Sequence, residues 1–124
     1  MVKDFLEKHT DSFYFVFRII VGLLFLLHGM QKIPGIMEGK TAVLSLFFLA
    51  AVIEVIGGIL LIVGLLTRYV ALVAGVEMLV AYFMFHFPQG VNPLMNKGEP
   101  ALLFFAAFLV LMSFGAKKWA LDKN

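Results

Sequence analysis

The chain has 124 residues, 62% of them hydrophobic and 15% charged, with a mean hydropathy of +1.00; that balance excludes a water-soluble domain, whose surface must carry charge. Cysteine is absent, which removes disulfides, thiolate metal sites and dithiol redox relays from the chain's own chemistry. The net charge of +2 does not mark a nucleic-acid binder, because the basic residues stand singly at the ends of apolar runs, where they act as membrane anchors.

A bilayer core about 30 Å thick takes roughly 20 mostly apolar residues per helix, so one domain with four crossings and short loops fits this length. Residues 1–12 are polar with mixed charge and read as a short cytoplasmic helix or tail at the membrane surface. The first apolar run, 13–32, lacks a cleavage-site pattern and is too long for a leader; Pro34 and Gly35 end it. Thr41 then offers a hydroxyl cap to a second helix over 42–66. Only Thr67 and Arg68 separate this from a third helix over 69–87, which predicts a tight antiparallel hairpin whose faces touch. Pro88, Gly90 and Pro93 open an extracytoplasmic loop over 88–100, and Pro100 suits the first turn of a fourth helix over 101–116. Lys117, Lys118 and Trp119 read as interface anchors at the start of a cytoplasmic tail over 117–124. The fold class is therefore all-α, an integral membrane four-helix bundle.

Orientation follows from the basic residues. The side formed by the two termini and the 67–68 turn carries Lys3, Lys8, Arg18, Arg68, Lys117, Lys118 and Lys123, whereas the other carries Lys32, Lys40 and Lys97. The positive-inside rule then puts both termini in the cytoplasm.

An ionisable side chain within a membrane helix costs about 2.5 to 3.5 kcal/mol on insertion scales and so needs a partner, a cavity or a task. Counting from the 67–68 turn places Glu77 about 13 Å and Glu54 about 18 Å into the membrane, and a similar count from Phe13 puts His28 about 22 Å deep. A His28–Glu54 pair across the first two helices is sterically reasonable. Glu54 shares its face with Ala50, Ala51, Gly57, Gly58 and Gly64, a stripe of small residues that lets membrane helices approach closely. Gln31 and Lys32 follow His28 on one face, and Glu99 opens the fourth helix on the same outer side. These residues describe a cleft open to the outside and floored by Glu54 and Glu77. Each also has a structural alternative: Arg18 as an anchor or the partner of an acid, Glu99 as a complement to a helix N-terminus, and the two buried glutamates as hydrogen-bonded carboxyls that only hold helices together. His28 and His86 lie at different depths, which makes a shared haem awkward.

In this setting Arg18-x3-Gly22, Phe25, His28-Gly29-Met30-Gln31-Lys32, Glu54-x2-Gly57-Gly58, Gly64-Leu65-Leu66-Thr67-Arg68, Gly98-Glu99 and Leu121-Asp122 together resemble the DoxX family of small four-helix prokaryotic membrane proteins. The resemblance covers nearly the whole chain and implies a prokaryotic plasma membrane and a role beside membrane redox chemistry, in which relatives are tied to quinol and thiosulfate:quinone oxidation. Two departures stand out. The tail 115–119 lacks the small or Pro- and Gly-rich turn common before the final Leu-Asp, and Glu77 falls where apolar residues are commoner.

The resulting expectation is a quinone-interacting subunit of a membrane oxidoreductase system. In it Glu54, helped by His28, exchanges protons with ring oxygens, since a desolvated carboxyl beside an imidazole suits that exchange near neutral pH. Glu77, Gln31, Arg18, Lys32 and Glu99 complete the substrate contacts. Quinone is the expected cofactor, with none bound covalently and no metal. The expected partners are the lipid bilayer and either a second copy or a redox protein that takes the electrons. A proton-coupled small-solute transporter acting as a dimer, and a non-catalytic membrane scaffold for a redox enzyme, are the competing readings.

Overall fold

The computed structural model describes residues 1–38 and 44–123, the side chains of 44 and 45 excepted. A short polar helix, α1 (Val2–Lys8), runs through His9 into α2 (Thr10–Met30), and a five-residue helix, α3 (Ile33–Met37), follows. Then come α4 (Leu44–Val63), α5 (Thr67–Ala81) and α6 (Glu99–Phe114). A π-helical turn, Tyr82–His86, and a 3₁₀ turn, Phe87–Gln89, extend α5. Among the described residues all regular structure is helical.

Three stretches, Thr10–Met37, Leu46–Val63 and Thr67–Gln89, are long and apolar enough to cross a membrane. Helix α6 is apolar throughout but shorter, at 16 residues. Large apolar side chains point outward along α2, α4 and α5, among them Leu23, Leu27, Ile56, Leu72 and Val76, as expected of a surface solvated by lipid rather than water.

The elements follow the sequence with small displacements. Pro34 does not simply stop the first helix; it lies in the first turn of α3, where its missing N–H costs nothing. The proposed cap Thr41 and the start of the second helix at Ala42 fall outside the described residues, as does Lys40. Between α4 and α5 the connection is Gly64-Leu65-Leu66, and Thr67 and Arg68 already belong to α5. Gly64 takes a left-handed φ of 72°, and the Leu65 amide bonds back to the Leu60 carbonyl at 2.9 Å, a helix stop that glycine permits at low cost.

The faces of the α4–α5 hairpin touch, as its short turn predicts, but other helix contacts are more extensive. The bundle is two tight pairs, α2 on α4 and α5 on α6, with a thinner α4–α5 contact between them. The first pair depends on glycine. A Cβ on Gly58 would lie 2.6 Å from the Leu26 nitrogen and 2.7 Å from the Gly22 carbonyl oxygen, so the two backbones touch there. Between the pairs, Phe25 packs edge-on against Phe108 at 4.9 Å, and Val21, Leu61, Ala71, Ala74, Met78 and Leu111 complete the core.

Both termini lie at the end of the bundle that holds the 64–66 turn. Arg18, fully buried, ties that end together: its guanidinium donates to the carbonyls of Leu61 (3.0 Å), Ala116 (2.6 Å) and Trp119 (2.7 Å). It is thus a staple for the tail and not an exposed anchor, because a buried cation in an apolar bundle needs several acceptors. The tail turns without proline because Lys117 and Trp119 themselves take left-handed φ values of 58° and 57°. It then caps the hairpin. The Leu121 and Asp122 amides bond the Val63 and Gly64 carbonyls, at 3.1 and 2.8 Å. The Asp122 carboxylate in turn accepts from the amides of Leu66 (2.7 Å) and Thr67 (2.9 Å), and Arg68 closes α6 by donating to the Met112 and Ser113 carbonyls, both at 2.8 Å. The departure in the 115–119 sequence therefore leaves the terminal Leu-Asp in an organised capping role.

Two outcomes are expected. Gly58→Ala drives its methyl into the backbone of α2, so thermal unfolding in detergent should show a loss of about 1 to 3 kcal/mol. Asp122→Ala removes the cap of α5 and should cost about 0.5 to 2 kcal/mol. Partial burial opposes ionisation of Asp122, but the Thr67 and Leu66 amides and the Arg18 charge outweigh it and hold the carboxyl below its ordinary range. Its contribution is therefore full above about pH 4, the unfolded-chain value, and is lost as pH falls through the lower folded-state value. Unfolding followed against pH should show this acid-side loss in the native protein and not in Asp122→Ala.

Candidate functional site

At the opposite end, between the two helix pairs, lies a half-open cavity of about 440 Å³. Helix α2 and the residues after it contribute Phe25, His28 and Lys32; α4 contributes Leu46, Phe47, Ala50 and Glu54. Across from them stand Glu77, Met78 and Ala81 of α5, Phe85 and His86 of the π-helical turn, Lys97 of the loop, and Pro100, Ala101 and Phe104 of α6. The walls are largely aromatic and aliphatic, and the polar groups converge on one floor. That division is usual in sites for small organic ligands.

The floor is an ion pair with a neighbour. Lys32 Nζ donates to Glu54 Oε1 at 2.8 Å, and Glu54 is 2% exposed. A carboxylate this deep is tolerable only when paired. Gly29 makes the pairing possible: a Cβ there would lie 2.8 Å from Glu54 Cβ and 2.8 Å from the Val55 nitrogen. With no side chain at 29, the end of α2 closes onto α4 and brings Lys32 within reach. The Glu77 carboxyl lies beside that of Glu54, and its Oε1 is buried without a hydrogen-bond partner. A buried oxygen in that state is costly, and a hydrogen-bond donor placed in the cavity would relieve it.

The two imidazoles flank this floor. His28 meets the edge of Phe104, with centroids 5.2 Å apart, and among the described residues no hydrogen bond joins it to Glu54. The partner of Glu54 is Lys32, whose long side chain reaches back along the helix end instead of extending to the interface. His86 Nδ1 lies 3.1 Å from the Asn96 carbonyl oxygen; a carbonyl only accepts, so Nδ1 carries the hydrogen of that bond.

Asn96 fixes the loop around this end. Fully buried, it donates to Tyr82 Oη (3.2 Å) and the Gly90 carbonyl (2.8 Å) and accepts from the Gly98 amide (2.8 Å). Lys97, held at a left-handed φ of 64°, is thereby placed on the cavity rim. Neither residue was singled out from sequence: a lone Asn and Lys before a glycine read as an ordinary turn. Among the described residues, no group of three or more His, Asp or Glu side chains could hold a metal ion.

Of the seven residues expected at the site, the fold brings four together: His28, Lys32, Glu54 and Glu77. Gln31 is exposed where α2 ends, and Glu99 is exposed in the first turn of α6, where a carboxylate complements the helix N-terminus. Arg18 is at the far end, occupied by carbonyls. None of these three lines the cavity.

Comparison with known proteins agrees with this architecture. The DoxX family description matches residues 13–87, which includes most of α2 and all of α4, α5 and the π-helical turn. A Haemophilus influenzae protein without assigned function is 41% identical over 96% of this chain and 95% of its own length. Inner membrane protein YqjF of Escherichia coli is 31% identical over 95% of each chain. CatD of Bacillus subtilis, named provisionally as an oxidoreductase, is 29% identical over 94% of this chain and 90% of its own. No solved structure matches. With its family description spanning more than half the chain and relatives aligned almost end to end, this membrane protein belongs to the DoxX family.

Proposed function

We propose that the chain is a quinone-interacting subunit of a membrane oxidoreductase system, and that the cavity at the loop end receives the quinone ring. The supporting observation is the pairing of Lys32 with Glu54 beside the unpartnered Glu77 Oε1, at the floor of an otherwise apolar cavity. Ring oxygens of a quinone or quinol are matched by such a floor: the ammonium donates to a carbonyl oxygen and the Glu77 oxygen accepts from a hydroxyl. Phe25 and Phe104 supply aromatic walls for the ring.

Oxidation of a quinol releases two protons and two electrons. In this reading the carboxyls of Glu54 and Glu77 receive protons, since two carboxyls facing one ammonium let a proton come and go while the cluster stays within one charge of neutral. His28 and His86, on the same cavity, pass them to the outer surface. The electrons leave to a redox partner protein, which the 88–98 loop is placed to meet. The name of the CatD relative as an oxidoreductase supports a redox setting. The chain is read as crossing a prokaryotic plasma membrane four times with both termini cytoplasmic. The end that holds the termini and the 64–66 turn carries Lys3, Lys8, Arg18, Arg68, Lys117, Lys118 and Lys123, which the positive-inside rule places in the cytoplasm.

Mass spectrometry of lipophilic molecules extracted from gently purified protein tests this reading. Quinone is expected to be enriched over a lipid-only control. Glu54→Gln and Glu77→Gln should each reduce the retained amount about tenfold or more, the equivalent of losing a hydrogen bond to a charged group, about 1.5 to 3 kcal/mol. No enrichment in the native protein would overturn the quinone site and turn attention to pH-gradient-driven uptake by a dimer in liposomes.

A further inference from the structure

The α4–α5 seam is built as a ladder. The two helices run antiparallel, and steps of three or four residues along each line the cavity wall with Glu54, Ala50 and Phe47 on one side and Glu77, Ala81 and Phe85 on the other. Toward the 64–66 turn the same seam is shut. There a Cβ on Gly57 would already touch the Val70 side chain at 3.3 Å, and Leu61, Ala71 and Ala74 are fully buried. On the other side of the acid pair lies the cavity, and Ala50 and Ala81 put small side chains in its wall there.

Phe47 and Phe85 line the cavity yet are 47% and 46% exposed, so they form its rim. Their distance from the 64–66 turn is about 26 Å, within a hydrocarbon core about 30 Å thick. That rim, exposed and apolar, suits contact with lipid, while the polar rim formed by His86 and Lys97 is on the loop side. The cavity thus has an apolar mouth toward the bilayer leading about two helical turns down to paired carboxyls, of which Glu77 Oε1 lacks a partner.

We infer that the ligand reaches the cavity sideways from the bilayer, passing between α4 and α5 across Ala50 and Ala81, and that its hydrocarbon tail stays in that gap. The ligand class is therefore a compact oxygen-bearing ring on a single long tail, and not a water-soluble solute. This rests on the quinone reading for the identity of the ring, but the passage itself does not.

The absence of cysteine gives a direct test in the full-length protein in lipid nanodiscs. Single Ala50→Cys and Ala81→Cys variants are exposed to a bilayer-dissolved maleimide and, separately, to a charged aqueous thiol reagent. Leu49→Cys, on the exposed surface of α4, and Ala74→Cys, in the closed half, serve as references. Labelling of both gap positions by the bilayer reagent within about tenfold of the Leu49→Cys rate, with Ala74→Cys inert, is expected, since thiol labelling follows access. Phe85→Ala should speed it further. Labelling by the aqueous reagent alone, or by neither in protein that elutes as a folded single species, would overturn the passage. A decyl-tailed benzoquinone with no free ring position then separates the two ideas. Protection of both positions supports tail and ring together, whereas labelling without protection leaves the passage standing and removes the quinone as its occupant.

Discussion

Helices α2 and α4 touch backbone to backbone, and the rest of the protein is arranged around that contact. Within a bilayer there is no hydrophobic drive to press helices together, so close packing and internal polar contacts must hold them. Gly22, Gly29 and Gly58 allow the approach. Its depth at Gly29 brings Lys32 over Glu54 and turns an otherwise expensive buried acid into one half of an ion pair. The cavity follows from the same geometry: α2 binds α4 tightly, α5 binds α6 tightly, and the space between the two pairs fills with Phe25 and Phe108 at one end and stays open at the other.

The two ends of the bundle answer the same constraint in opposite ways. At the end with the termini the charged side chains that tie the chain together are paired: Arg18 with carbonyls, Asp122 with the amides that open α5, Arg68 with the last carbonyls of α6. At the loop end Lys32 and Glu54 satisfy each other, but the Glu77 oxygen is not satisfied, and two imidazoles and a lysine border open space. The contrast separates residues that hold the fold from residues that border the cavity.

Much of this was legible in the sequence. Runs of apolar residues bounded by Pro, Gly and single charges located the helices, and the improbability of a glutamate at mid-membrane pointed to Glu54 and Glu77. What misled was side-chain reach. Depth counting aligned His28 with Glu54, but it measures backbone height only, and a lysine one turn farther on can reach back four carbons. Arg18 could not be separated from an anchor for a different reason. Its acceptors are carbonyls of residues 61, 116 and 119, and such partners carry no side-chain signature. Asn96 was silent likewise, because a buried loop asparagine looks in sequence like any turn residue. The tail's turn through Lys117 and Trp119 was hidden because left-handed backbone outside glycine is uncommon.

The central claim is that Lys32 and Glu54 act as one unit toward a quinone ring. It is tested most directly by a double-mutant cycle on equilibrium binding of a decyl-tailed quinone to nanodisc-embedded protein, using Lys32→Met, Glu54→Gln and the two combined. Each single change strands its partner, so the double variant is expected to bind better than the summed losses allow, with a coupling of about 1 kcal/mol or more. Strictly additive losses, or no saturable binding to the native protein, would contradict it.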